Sequence, residues 1–196
     1  DISHEWRTPL TLIEGPLSEV LADEKLPEAD RVYLTVVQTN AHRMLNLINQ
    51  ILDFRKIQNE KMRLLVEKLN VRESLEAIME NFENIARQHR IDFRLEMGAD
   101  DVYVWADRDK FEKIFVNIIS NAFKYTPPGK TITVRVKSDD ENVVVAVQDQ
   151  GVGIQPSKVA MLFQRFDTIL QDNIYQQSTG IGLSLVKQLV DLHHAS

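Results

Sequence analysis

The apolar residues at the start of the chain recur at helical spacing, with Trp6, Leu10, Ile13 and Leu17 on one side of a helix. At about 100° per residue they stand about 180–240° from His4, so the imidazole falls on the opposite, polar face with Thr8 and Thr11 nearby and Glu5 next to it. Residues 1 to about 22 therefore read as one helix, interrupted at Pro9 and at Gly15-Pro16, where the prolines remove bonds to the carbonyls of Glu5 and Leu12. The charged run from Ala22 to Asp30, with Pro27 inside it, breaks the pattern and reads as a helix–helix connection. From Arg31 to about Lys56 a second helix carries Leu34, Val37, Ala41, Met44, Ile48 and Ile51 at alternating spacings of three and four, with Leu45 and Leu52 widening the stripe. A two-helix hairpin is too thin to bury both its faces. The pattern predicts a four-helix bundle made by two chains, a homodimer through residues 1–57; the alternative is a hairpin packed on its own second domain.

The polar stretch Gln58-Asn59-Glu60-Lys61 follows the last seam position, which puts the boundary between a domain of residues 1–58 and one of 59–196. Beyond it the periodicity alternates between two and 3.6. Strands are predicted over 64–68, 91–97, 102–105, 131–136 and 143–147. Helices are predicted over 71 to about 88, over 107–125 with Asp107 as cap, and over about 156–164 and 181–193. Mixed strands with helices beside them imply an α/β sandwich, so the whole chain is expected to be α+β.

Composition narrows the class without naming a function. With 196 residues, 43% hydrophobic and 27% charged, the chain is an ordinary globular protein of one large or two small domains. No apolar run approaches the roughly 18 residues of a membrane span, and no signal peptide opens the sequence. Cysteine is absent, which removes disulfides and thiolate metal sites. A formal charge of −6 argues against general nucleic-acid binding.

An exposed histidine is ordinarily just solvated. Pro9, five residues on, argues for more, because inside a helix it costs about 3 kcal/mol and kinks the chain beside the histidine and its neighbouring acid. The run His4-Glu5-Trp6-Arg7-Thr8-Pro9-Leu10-Thr11 resembles the H-box of bacterial sensor histidine kinases. The resemblance implies that His4 accepts phosphate from ATP. Glu5 is then placed to take the imidazole proton as general base, and Thr8, by resemblance, to orient a water for the reverse, phosphatase reaction.

Three further stretches resemble the nucleotide boxes of the same family. In Lys113–Tyr125, Asn117, Asn121 and Lys124 fall within about 60° of one another, with Tyr125 about 40° beyond Asn121. Phe111, Phe115, Ile118, Ile119 and Ala122 form the adjoining apolar face. Taken alone this is an amphipathic helix with a solvated stripe; it resembles the N-box. Mg²⁺ bridging phosphates needs few protein ligands, so the amide oxygens of Asn117 and Asn121 suffice. Asp149-Gln150-Gly151-Val152-Gly153 leaves a strand through two glycines, a common turn pattern, and resembles the G1 box, whose acid reads the adenine amino group. Ser178-Thr179-Gly180-Ile181-Gly182-Leu183 opens a helix, where free N–H groups favour phosphate, and resembles the G2 box. Between them Phe163-Gln164-Arg165-Phe166 is similar to the F-box, and residues 167–177 read as a lid over the nucleotide.

The resemblance spans nearly the whole chain and implies a dimerisation and phosphotransfer hairpin followed by a Bergerat-type ATP-binding domain. Since the family continues into further strands beyond the position of Ser196, that domain is expected here without its C-terminal strands. The implied cofactors are ATP and Mg²⁺, and the implied partner is a response-regulator receiver whose aspartate takes the phosphoryl group. The parent is expected to be a membrane-anchored sensor with this portion cytoplasmic; the residues from Glu5 to Pro16 are also similar to hybrid kinases that carry their own receiver. Two other readings remain. One is an ATPase of the same nucleotide fold, like the related chaperone, topoisomerase and mismatch-repair proteins; those place a glutamate where this chain has Asn117, which cannot act as a base. The other is a catalytically silent dimeric scaffold.

Overall fold

The computed structural model describes residues 2–59, 61–98, 100–139, 141–159, 161–163 and 181–196, with side chains from residue 8 onward. The chain divides into two compact units, Asp1–Met62 and Arg63–Ser196.

The first unit is a hairpin of α1 (Ile2–Ala22) and α2 (Glu28–Gln58). α1 continues through Pro9 and Pro16, because the bonds on either side of each missing N–H keep the helix intact. Leu10, Leu17 and Ala41 are buried along the hairpin seam. Polar contacts fix the antiparallel register: Gln38 Nε2 donates to Ser18 Oγ at 3.1 Å, and His42 Nε2 meets the Glu14 carboxylate. Arg31 closes the turn by donating to the carbonyls of Leu21 (2.6 Å) and Asp23 (2.8 Å), two acceptors left without helical partners where α1 ends. Among the described residues no helix is long and apolar enough to cross a membrane.

The second unit holds β1 (Val66–Asn70), α3 (Val71–Glu80), α4 (Glu83–His89), β2 (Asp92–Glu96), β3 (Tyr103–Asp107), α5 (Arg108–Tyr125), β4 (Thr131–Ser138), β5 (Val143–Asp149), α6 (Pro156–Val159) and α7 (Gly182–Leu192). The strands form two sheets. β1 pairs antiparallel with β3, while β2, β4 and β5 make a second sheet in that order, parallel between β2 and β4 and antiparallel between β4 and β5. One face of the three-stranded sheet is apolar, with Ile132 and Val134 fully buried; the other carries charge pairs such as Arg135 with Glu96 at 2.8 Å.

Two predicted helices come out differently. The stretch 71–88 is two helices, α3 and α4, parted at Asn81-Phe82. The break lets Phe82 stack on Phe123, with ring centroids 5.4 Å apart, and meet Phe93 edge-on at 6.4 Å, a tertiary gain that local periodicity does not register. The helix predicted over 156–164 is the short α6, followed by a turn at 161–163.

Candidate functional site

α5 is the element around which the second unit's candidate residues gather. Its start is set by Asp107, whose Oδ1 accepts from the N–H of Lys110 at 3.1 Å while Oδ2 accepts from the N–H of Leu65 at 2.8 Å. Burial works against the charged form of this carboxyl, but the two backbone N–H donors and the Lys110 ammonium outweigh it and hold its pKa below the ordinary aspartate value. The buried face of α5, with Phe111, Ile114, Phe115, Ile119 and Ala122, packs against α3 and α7.

The half-buried stripe beside that face carries Asn117, Asn121, Lys124 and Tyr125. Asn117 Nδ2 donates to the Lys113 carbonyl at 2.7 Å, which turns Oδ1 toward Gly182 at the start of α7. A Cβ at position 182 would lie 2.9 Å from that oxygen, so any side chain there would push the Asn117 amide aside. At the other end of the stripe the Lys124 ammonium stands 5.3 Å from the Tyr125 ring centroid.

Glycine is also required where β5 ends. A Cβ on Gly151 would come within 2.7 Å of the Tyr125 carbonyl oxygen and 2.6 Å of Asp149 Oδ1, so only a bare Cα lets the turn lie against the end of α5. Asp149 is exposed, and its Oδ1 accepts from the Gly151 N–H at 2.8 Å. Gly153 follows with φ of 71°.

The turn after β5 and the first turn of α7 thus both meet α5, at Tyr125 and at Asn117, with Asn121 and Lys124 on the stripe between them and Asp149 and Gly151 at the turn; Gly153 and Leu183 follow on the same two segments. Thr179 and Gly180, together with Gln164-Arg165-Phe166 and the expected lid, lie outside the described residues. In the first unit His4 and Glu5 fall in the first turns of α1, but their side chains are outside the description, and Thr8 is exposed on the same helix.

Residues 1–60 match the family described as His Kinase A (phospho-acceptor) domain, and residues 106–196 match Histidine kinase-, DNA gyrase B-, and HSP90-like ATPase. The chain belongs to the sensor histidine kinase family. Histidine kinase P4 of Formosa agariphila is 39% identical over 98% of this chain, and sensor histidine kinase WalK of Bacillus subtilis is 32% identical over 98%. The chain spans 14% of the first and 32% of the second. Among solved structures, full-length ShkA in complex with AMPPNP superposes with a TM-score of 0.78 at 25% identity, over 97% of this chain and 40% of that one.

Sequence reasoning missed one contact beside this candidate site, at the C-terminal end of α7. There His193 accepts the Asp107 N–H on Nε2 at 3.2 Å, so its Nδ1 carries the proton and donates to the Leu189 carbonyl at 2.7 Å. Its partner lies 86 positions away in sequence. No local pattern marks such a contact.

Proposed function

We propose that this chain binds Mg-ATP on the surface formed by α5, the turn after β5 and the start of α7, and transfers the γ-phosphoryl group to His4. The observation that carries the reading is the approach of Gly182 to Asn117 Oδ1, which puts an amide oxygen beside the N–H groups of a helix start. That pairing suits an anion and the cation it brings along. Asn117 and Asn121 would hold Mg²⁺ through their amide oxygens, and the ion would supply charge neutralisation between the phosphates. The amide orientation fits such a role, since the nitrogen of Asn117 is committed to Lys113.

Lys124 offsets phosphate charge, and the Tyr125 ring beside it offers a flat apolar surface. One Asp149 oxygen is committed to the Gly151 N–H; a carboxylate has a second to accept from the adenine amine. In the transfer an imidazole nitrogen of His4 forms a bond to the γ-phosphorus, the bond to the β-bridging oxygen breaks, ADP leaves, and the imidazole proton passes to Glu5. Asn117 cannot activate water as a glutamate would, so transfer to a protein nucleophile is favoured over hydrolysis. Phosphohistidine is a reactive donor, and the partner it suits is an aspartate on a response-regulator receiver, reached through the surface around His4 and Thr8. The hairpin works as a homodimer in a protein that extends beyond this chain into a sensor.

Incubation with γ-labelled ATP and Mg²⁺ tests the reading. Acid-labile label on the wild-type chain, lost in His4→Ala and kept in Thr8→Ala, is the expected result. Steady release of free phosphate with no labelled protein would replace the kinase with an ATPase, and neither product would leave a scaffold.

A further inference from the structure

We propose that His193 is a positioning residue for the nucleotide site, acting through α7 on the contact between Gly182 and Asn117. The inference rests on the nucleotide reading above and deepens it.

α5 and α7 lie against each other and are tied at two places. Near the candidate site, Gly182 at the start of α7 meets Asn117 in the middle of α5. At the opposite end, His193 just beyond α7 accepts the N–H of Asp107 just before α5. The two helices therefore run antiparallel, and the spans between the ties match: at 1.5 Å per residue, Asp107 to Asn117 covers about 15 Å and Gly182 to His193 about 16 Å. Among the described residues the contacts between the ties are apolar, with Leu185 and Leu189 almost fully buried. Such packing resists separation but is not directional, and it tolerates small slides and rotations. A helix is stiff along its axis, so freedom at one end appears at the other.

The C-terminal tie is built to be rigid. Asp107 is 3% exposed, so its N–H needs a partner, and the imidazole supplies it. The ring's orientation is fixed by its second nitrogen, which donates to Leu189 within α7 itself. Asp107 is anchored in turn by the Leu65 and Lys110 N–H groups. At the other tie Asn117 Oδ1 lies 2.9 Å from where a Cβ on Gly182 would sit, so the bare Cα and the amide oxygen lie close together. A shift of α7 by a few tenths of an ångström changes the oxygen that would face a nucleotide-bound cation.

The test compares His193→Gln, whose Oε1 reaches the place of Nε2, with His193→Asn, whose amide reaches only that of Nδ1, in the 196-residue chain. Mg-ADP affinity is measured by calorimetry, and amide hydrogen exchange of residues 182–186 is followed without nucleotide. The Asn variant should bind Mg-ADP roughly tenfold more weakly and exchange faster at the start of α7, with Gln restoring both to near wild type. His193→Met, which fills the space without an acceptor, should behave like Asn and serves if Asn does not fold. Folded Asn and Met variants with wild-type affinity and unchanged exchange at 182–186 would make His193 a local structural residue and overturn the proposal. So would a Gln variant as impaired as Asn. If the wild type binds no Mg-ADP, the nucleotide reading fails, and the exchange comparison still decides whether His193 governs the start of α7.

Discussion

A methyl group added at position 151 would have to occupy space already held by the Tyr125 carbonyl and the Asp149 carboxylate, both backbone-fixed or bonded to the turn. Gly151→Ala is therefore expected to push the turn off the end of α5, lowering stability by about 1–3 kcal/mol. The larger effect should be on nucleotide binding; thermal melting with and without Mg-ADP separates the two, and a variant with unchanged nucleotide-induced stabilisation would contradict the assignment of this turn. Asp107 makes a different prediction. Its folded pKa lies below the unfolded one, so it contributes stability above the ordinary aspartate pKa and loses it as pH falls through the lower folded value. Asp107→Asn keeps an oxygen acceptor but not the charge, and should flatten the loss of stability below about pH 4 while lowering stability at pH 7. Denaturant unfolding across that range checks both. Asp107 was legible as a helix cap because an acid precedes an amphipathic run. Its other partners, Leu65 and His193, were not, since both are distant in sequence and the local patterns they sit in carry no sign of a contact with Asp107.

Elements were legible where their reasons are local. The alternation of β4 and β5 repeats over enough residues for the core-facing side to be read directly, while the heptad of α2 marks the helix but only Ala41 of its seam is buried in the single chain. The break between α3 and α4 was not, because the helical pattern runs on through it and what interrupts it is the stacking of Phe82 on Phe123 across the unit. The end of α1 was visible as a charged, proline-containing run, yet the device that closes the turn depends on Arg31 reaching back to Leu21 and Asp23. Arg31→Ala leaves the Leu21 carbonyl to water and the Asp23 carbonyl with only the Leu26 N–H. It should lower the thermal stability of the hairpin by about 1–2 kcal/mol, with Arg31→Lys recovering part of it because a single ammonium can serve one carbonyl well but not both in the forked geometry. Circular dichroism of the melting transition in the three proteins measures the difference; equal midpoints would mean the turn is held by the helices and not by the guanidinium.

For the molecule as a whole, the deciding feature of the hairpin is what it leaves uncovered. On α2, Val37, Met44 and Ile51 recur every seven residues and are 48%, 52% and 37% exposed; on α1, Ile13 and Val20 share the same spacing and are 46% and 45% exposed. α1 already buries its seam against α2 through Leu10, Leu17 and Ala41, so these residues form a second apolar stripe on the hairpin. Two parallel stripes at heptad spacing match the geometry by which two hairpins pack into a four-helix bundle, with each stripe covered by its copy. If that is the occupant, the double substitution Val37→Glu and Met44→Glu puts like charges into the middle of the interface and should yield a monomer at micromolar concentration, where the wild type elutes as a dimer by light scattering. Helicity should be largely kept, because both positions are exposed in the single chain and glutamate is a good helix former. A wild type that is already monomeric removes the dimer. A charged variant that stays dimeric moves the interface to another surface. Loss of helicity together with dimerisation would mean that the hairpin holds its shape only when paired, which links the folding of the phosphoacceptor unit to protomer concentration.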